Sequence, residues 1–265
     1  FLLLIVLMVT VTAAVSAADT DDATTLTQTD DNTINEVNED LSTSTSLNDT
    51  TSLSNNNEVS VYKATESGDN LKTVDAGKIQ LDNDVITYDN LNAAITAASS
   101  GSHIITVGAG NYTGTGNVGV TINQGFSNLT IKADEGATVI FDAENKDTPI
   151  LTINSGNTVT LQGLTFENVN RSTTVMYGAL INYGALTVDN CTFLNNKINN
   201  PKWGNNGGAA IFSKGATSIT ITDSNFINNT AQCIGSTAAV SIWGTTTGVS
   251  ISSSYFENNT GRFGG

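Results

Sequence analysis

A block built around one phenylalanine recurs four times at similar spacing through the second half of this 265-residue chain, a self-similarity that restricts the fold more than any other feature. Val159-Thr-Leu161-Gln-Gly-Leu164-Thr-Phe166-Glu-Asn168 is followed by Leu186-Thr-Val188-Asp-Asn-Cys191-Thr-Phe193-Leu-Asn-Asn196. Two more copies are Ile219-Thr-Ile221-Thr-Asp-Ser224-Asn-Phe226-Ile-Asn-Asn229 and Val249-Ser-Ile251-Ser-Ser-Ser254-Tyr-Phe256-Glu-Asn-Asn259. The steps from Phe to Phe are 27, 33 and 30 residues. A period of that size, built of strands with no helical pattern between them, excludes helical solenoids and leucine-rich horseshoes with helices. It predicts a solenoid in which each repeat is one coil.

Within a repeat, the positions seven and five before Phe are aliphatic, a bend follows at Gly163, Asn190 or Asp223, and the position two before Phe shares its side with Phe. Strand side chains alternate, so this even spacing on both sides of the bend turns all four positions inward. Val159, Leu186, Ile219 and Val249 should stack, as should the phenylalanines, with coils about 4.8 Å apart. Asn168, Asn196, Asn229 and Asn259 close the units. Asn tolerates a left-handed corner and its amide can bond along the stack, which makes these residues a corner ladder. Cys191 takes the inward place that Ser224 and Ser254 hold, as a small core residue. A disulfide from it to Cys233 stays open, requiring α-carbons within about 7 Å.

Upstream, Ile104-Ile-Thr-Val107, Val120-Thr-Ile122, Leu129-Thr-Ile131, Val139-Ile-Phe141 and Leu151-Thr-Ile153 continue the short β-branched runs, so residues 104–265 form the solenoid, about six coils. Residues 59–103 are a lead-in, with alternation at Val59-Val61 and Ile79-Leu81, an apolar run Val85-Ile-Thr-Tyr88, and one helix. Asp89 is placed to cap that helix, Leu91, Ala94, Ile95 and Ala98 share a face, and Gly101 supplies the stop. Residues 19–58 carry ten acids, no Lys or Arg and no aromatic residue, too little apolar surface to offset ordering; they are a disordered acidic spacer. Residues 1–18 join an apolar run to Ala14-Val-Ser-Ala-Ala18, like a secretory signal whose basic n-region is missing. Closure on Gly264-Gly265, the start of another Gly-Gly-Ala unit, predicts a C-terminal continuation.

The segments Phe193-x-x-Asn196, Phe226-x-x-Asn229, Phe256-x-x-Asn259, Gly207-Gly-Ala-Ala-Ile211 and Gly178-Ala-Leu-Ile181 resemble repeats shared by polymorphic outer-membrane proteins and the adhesin-like proteins of methanogenic archaea. More broadly, residues 85–265 resemble secreted right-handed parallel β-helix proteins of the pectin-lyase-like superfold, with Asn92-Ala-Ala-Ile95 through Tyr112 like a capping helix and first strand. The resemblance implies an all-β, right-handed parallel β-helix with a short N-terminal capping helix, displayed at the cell surface. It implies an adhesin-like, non-catalytic stalk contacting carbohydrate or neighbouring cells, attached to wall or membrane through the C-terminal continuation. The same superfold hosts polysaccharide lyases, hydrolases and epimerases, which stand as the alternative.

A net charge of −15 and only two arginines, Arg171 and Arg262, exclude a phosphate-reading surface, and hence nucleic acid as partner. Two cysteines exclude a disulfide-stapled scaffold and a multi-Cys zinc site. A sugar-cleaving enzyme needs clustered carboxylates with a base, or two acids about 5 to 10 Å apart. On the Phe alignment no two carboxylates stack on adjacent coils, Glu167 and Glu257 being separated by two others. No catalytic residue, metal or cofactor is assigned. The loop Asp142, Glu144, Asp147 with Lys146 is either a cation or sugar contact or a solvated turn. Single His103 precedes the first strand as a bland polar residue. In the long loop Ile198–Asn206, Trp203 beside Asn205 and Asn206 suits stacking on sugars or stabilises the loop, whereas Trp243 continues a core alternation. Glycosylation triplets begin at Asn48, Asn111, Asn128, Asn170, Asn190, Asn228 and Asn258; in a secreted chain the exposed ones, Asn111, Asn128, Asn170, Asn228 and Asn258 foremost, would be modified.

Overall fold

The computed structural model describes residues 73–172, 177–199, 207–233, 236–244 and 247–262. The signal-like segment, the acidic spacer, Val59-Val61, Trp203, Asn205, Asn206 and Gly264-Gly265 lie outside the described residues. What is described is a parallel β-solenoid within one compact unit, Glu58–Gly265.

Three parallel sheets wall the coil. The first face stacks Ser102–Val107, Asn128–Ala133, Thr158–Gln162, Ala185–Asp189, Ser218–Thr222 and Gly248–Ser252. The second stacks Gly110–Tyr112, Val139–Asp142, Leu164–Glu167, Thr192–Leu194, Asn225–Ile227 and Tyr255–Glu257. The third stacks Val120–Ile122, Leu151–Ile153, Leu180–Asn182, Ile211–Lys214 and Val240–Trp243. A narrow ladder of two-residue strands, from Asn170–Arg171 to Thr260–Gly261, lies between the second and third faces in the later coils. Six strands on the first face enclose five complete turns, in place of about six coils.

In-register pairing brings like residues level, because each coil supplies the same inward position to the same strand. Leu129, Val159, Leu186 and Ile219 form one fully buried row. The aromatic ladder reaches two coils below the Phe alignment. Tyr112, Phe141, Phe166, Phe193, Phe226 and Phe256 stack with ring centres 5.3, 5.8, 5.2, 5.1 and 4.7 Å apart. Strand spacing in a sheet is about 4.8 Å, so rings mounted in register meet near their favourable offset separation. Burial pushes the Tyr112 phenol up to about 12, its hydroxyl donating to the Gly108 carbonyl at 2.8 Å.

Two left-handed residues bracket each of the four phenylalanines from Phe166 to Phe256 in the ladder, and here the expected corner ladder divides into two jobs. Three residues before Phe, φ is 69° at Gly163, 48° at Asn190, 49° at Asp223 and 50° at Ser253. Two residues after Phe, φ is 57° at Asn168, 56° at Asn195, 55° at Asn228 and 52° at Asn258, so these turn the chain. The next residue makes the ladder: Asn196 Nδ2 donates to Asn229 Oδ1 at 3.0 Å, and Asn229 Nδ2 to Asn259 Oδ1 at 2.9 Å. Asn168 therefore aligns with Asn195 and not with Asn196, and buried Val169 occupies the ladder position of that coil. A single asparagine cannot do both jobs, since the left-handed one is carried to the outside of the bend.

The first coil is closed from below. Ile79–Leu81 pairs antiparallel with both Thr87–Tyr88 and Ser102–Val107, covering the edge of the first face. Helix Leu91–Ala97 buries Leu91, Ala94 and Ile95 against Ile79–Leu81, Thr87–Tyr88 and Val120–Ile122. Its cap is Asn90 and not Asp89: Asn90 is extended and its side chain accepts the Ala93 N–H at 2.9 Å, whereas Asp89 pairs with Lys78 Nζ at 2.6 Å. The helix stops at extended Ala98, with Gly101, φ +133°, opening the first strand. At the other end Val249 and Phe256 are 53% and 44% exposed, while Ile219 and Phe226 one coil below are fully buried.

Candidate functional site

Asp142, Glu144 and Asp147 each have different partners. Asp142 Oδ1 accepts the Glu144 N–H at 2.7 Å, holding a turn in which Glu144 and Asn145 are both left-handed. Glu144 pairs with Lys146. Asp147 meets Arg171 Nε at 3.5 Å and accepts the Ser172 hydroxyl at 2.9 Å. Arg171 is buried beneath Ile198 and Ala231 in the narrow ladder, and burial pulls its guanidinium below the usual value while Asp147 counters. Among the described residues no three His, Cys, Asp or Glu side chains gather as a metal site.

One sequence expectation is overturned: two carboxylates do stack on adjacent coils. Asp142 follows Phe141 as Glu167 follows Phe166, and the ladder sets them level. Asn168 Nδ2 donates to Asp142 Oδ1 at 3.1 Å and to Glu167 Oε1 at 3.2 Å. Burial, with Asp142's charge adding to it, raises the Glu167 carboxyl above its ordinary value. The Phe alignment missed the pair because it began at Phe166; extending it to Phe141 would have found it.

His103 is not a bland surface residue. It points inward below Leu129, its ring edge-on to Phe126 at 6.0 Å and its Nδ1 2.6 Å from Asp82 Oδ2. Cys191 and Cys233 are both free, the first in the main core and the second in a small separate cluster with Ile198, Ala209 and Ala231. Burial pushes the Cys191 thiol up to about 12, which leaves it an inert core group. Of the glycosylation candidates, Asn111, Asn128, Asn228 and Asn258 are exposed, the last two on left-handed corners. Asn170 is half-buried and accepts from Asn199 Nδ2 at 2.6 Å; Asn190 is exposed.

The aromatic residues outside the wall were not foreseen. On the third face Ile211 faces the core, so alternation turns Phe212 outward, where it is nonetheless fully buried, with the half-buried Tyr177 ring stacked on it at 4.3 Å. Tyr183 lies nearby, its phenol raised by burial and secondarily by Tyr177. Trp243 does not pack in the core as expected; Val240 and Ile242 do, and by the same alternation Trp243 turns out, 38% exposed, with Lys214 Nζ 5.1 Å from its ring centre. The signal was present in the sequence, since the parity that puts Leu180 and Ile211 inside puts Tyr183, Phe212 and Lys214 outside. Comparison with known proteins finds no family model, no curated protein and no solved structure that matches this chain.

Proposed function

We propose that this is a secreted, surface-displayed, adhesin-like protein, a non-catalytic solenoid whose outward loops and aromatic residues contact glycans on neighbouring cells. The observation that carries the reading is the set of rings on the outer side of the third face, half-buried Tyr177 stacked on fully buried Phe212 and exposed Trp243. The interior has its own aromatic ladder, and of the outer rings only Phe212 is fully buried, so Tyr177 and Trp243 keep surface open to a ligand. Amphipathic aromatic residues with low conformational entropy are the side chains that binding surfaces favour. The sugar-stacking candidates from the sequence, Trp203, Asn205 and Asn206, lie outside the described residues.

The test is a glycan array probed with the full chain. Binding that is lost in Tyr177→Ala and Trp203→Ala supports the reading; an array with no bound glycan overturns it. A second reading, a polysaccharide-cleaving enzyme, is favoured by the Asp142–Glu167 pair, level on adjacent coils, in which the Glu167 carboxyl is biased toward protonation. Product release from polysaccharides that stops in Asp142→Asn and Glu167→Gln would replace the adhesin reading with this one.

A further inference from the structure

We infer that Tyr183, Lys214 and Trp243, level with one another on three successive coils of the third face, bind an oligosaccharide that carries an isolated carboxylate. This rests on the glycan-contact reading and gives it a site and a sugar class. The ladder pairs Asn182 with Ser213 and Lys214 with Trp243, so Tyr183, one residue past Asn182, falls level with Lys214. Asn182 and Ser213 are fully buried, and alternation turns the next residues out: Lys214 and Trp243 are exposed and Tyr183 half-buried. Two coil spacings put Tyr183 and Trp243 about 10 Å apart with the ammonium between them.

The solenoid does not require this trio, because the same row holds Asn123 and Asn154 in the two coils below. Lys214 pairs with no carboxylate among the described residues, unlike Lys78 with Asp89 and Lys146 with Glu144. Its charge is held against the Trp243 ring instead. Aromatic rings offer apolar faces for the C–H faces of pyranose rings, and an extended saccharide running along the coil axis would cross all three side chains. The ammonium supplies charge-assisted hydrogen bonds to a carboxylate, the stronger kind. Half-buried Asn154 beside Tyr183 adds an amide for hydroxyl groups. The chain's net charge of −15 disfavours a dense polyanion, so the ligand's carboxylates are set apart by neutral sugars.

The experiment titrates the full chain by calorimetry with 3′-sialyllactose, a hyaluronan tetrasaccharide and lactose. Either acidic sugar should bind at least about ten-fold more tightly than lactose, and which of the two does so identifies sialate or uronate as the acid. Lys214→Gln should remove that preference and leave lactose unchanged. Trp243→Ala should weaken all three, and Thr160→Ala on the first face none, with circular dichroism confirming that each variant is folded. Equal affinity for lactose and both acidic sugars overturns the inference, as does a Lys214→Gln variant that keeps the preference. If array binding survives both Lys214→Gln and Trp243→Ala, this site is wrong while the glycan reading stands; a chain that binds no glycan ends both.

Discussion

The inside of the coil and the outside of its third face obey the same alternation but are filled on different grounds. Inside, a position is repeated from coil to coil: Phe166, Phe193 and Phe226, or Asn196 and Asn229, are interchangeable members of a stack. Outside, the row Asn123, Asn154, Tyr183, Lys214, Trp243 changes chemistry at nearly every step. Repetition marks what the fold needs, since each coil must present its neighbours with the surface they present to it. Departure from repetition on an exposed row marks what the fold does not need, and that is where contacts with other molecules should be sought.

Mutation can break this contrast. The largest effect is expected at Phe193→Ala, fully buried between two rings, with a loss of about 3–5 kcal/mol in chemical denaturation. A loss under about 1 kcal/mol would mean that the ladder is not cooperative. Next comes Asn196→Ala, which strands the Val169 N–H bonded at 3.2 Å and the Phe166 carbonyl bonded at 3.1 Å, for about 2–3 kcal/mol. Asn195→Ala at the adjacent left-handed position should cost less, about 1 kcal/mol, and if it costs more the division of labour between the two asparagines is mistaken. Lys214→Gln and Trp243→Ala should shift stability by no more than about 0.5 kcal/mol while altering sugar binding.

The smallest effect tests the pair Asp142 and Glu167, also outside the wall. Burial and Asp142 raise the Glu167 carboxyl, so the folded state disfavours its charged form. Stability is therefore lost as pH rises through the raised folded value and regained as pH falls through it. Glu167→Gln should be slightly more stable than the parent at pH 7, with the difference closing in acid below the ordinary carboxylate range. Thermal melts at the two pH values check the sign, and a variant less stable at pH 7 would show that the carboxylate is stabilised by Asn168 more than it is opposed by Asp142.

Much of this was legible in the residues, and the misses are specific. The strand runs, the inward rows and the buried helix face at Leu91, Ala94 and Ile95 agree with the sequence pattern. The helix cap moved one residue because Asp89 had a better partner in Lys78, a contact eleven residues away that no local rule announces. The sequence pattern invites a core place for Trp243, although the alternation around Val240 and Ile242 turns it out. The partner of His103 lies in a lead-in turn at left-handed Asp82, a contact that the residues around His103 do not announce.

The sequence by itself determined the coil: strand alternation and left-handed corners are local properties, and a position repeated four times declares its own neighbours in the stack. Only the tertiary structure decided which unlike residues meet across coils. Coil length varies, so the offset that brings two residues level is 25 from Asp142 to Glu167, 31 from Tyr183 to Lys214 and 29 from Lys214 to Trp243. The strands stay in register whatever the coil length, because every backbone group in the wall must find its hydrogen bond in the next coil. Adjacency between residues that do not repeat is therefore set by where each coil places its extra length.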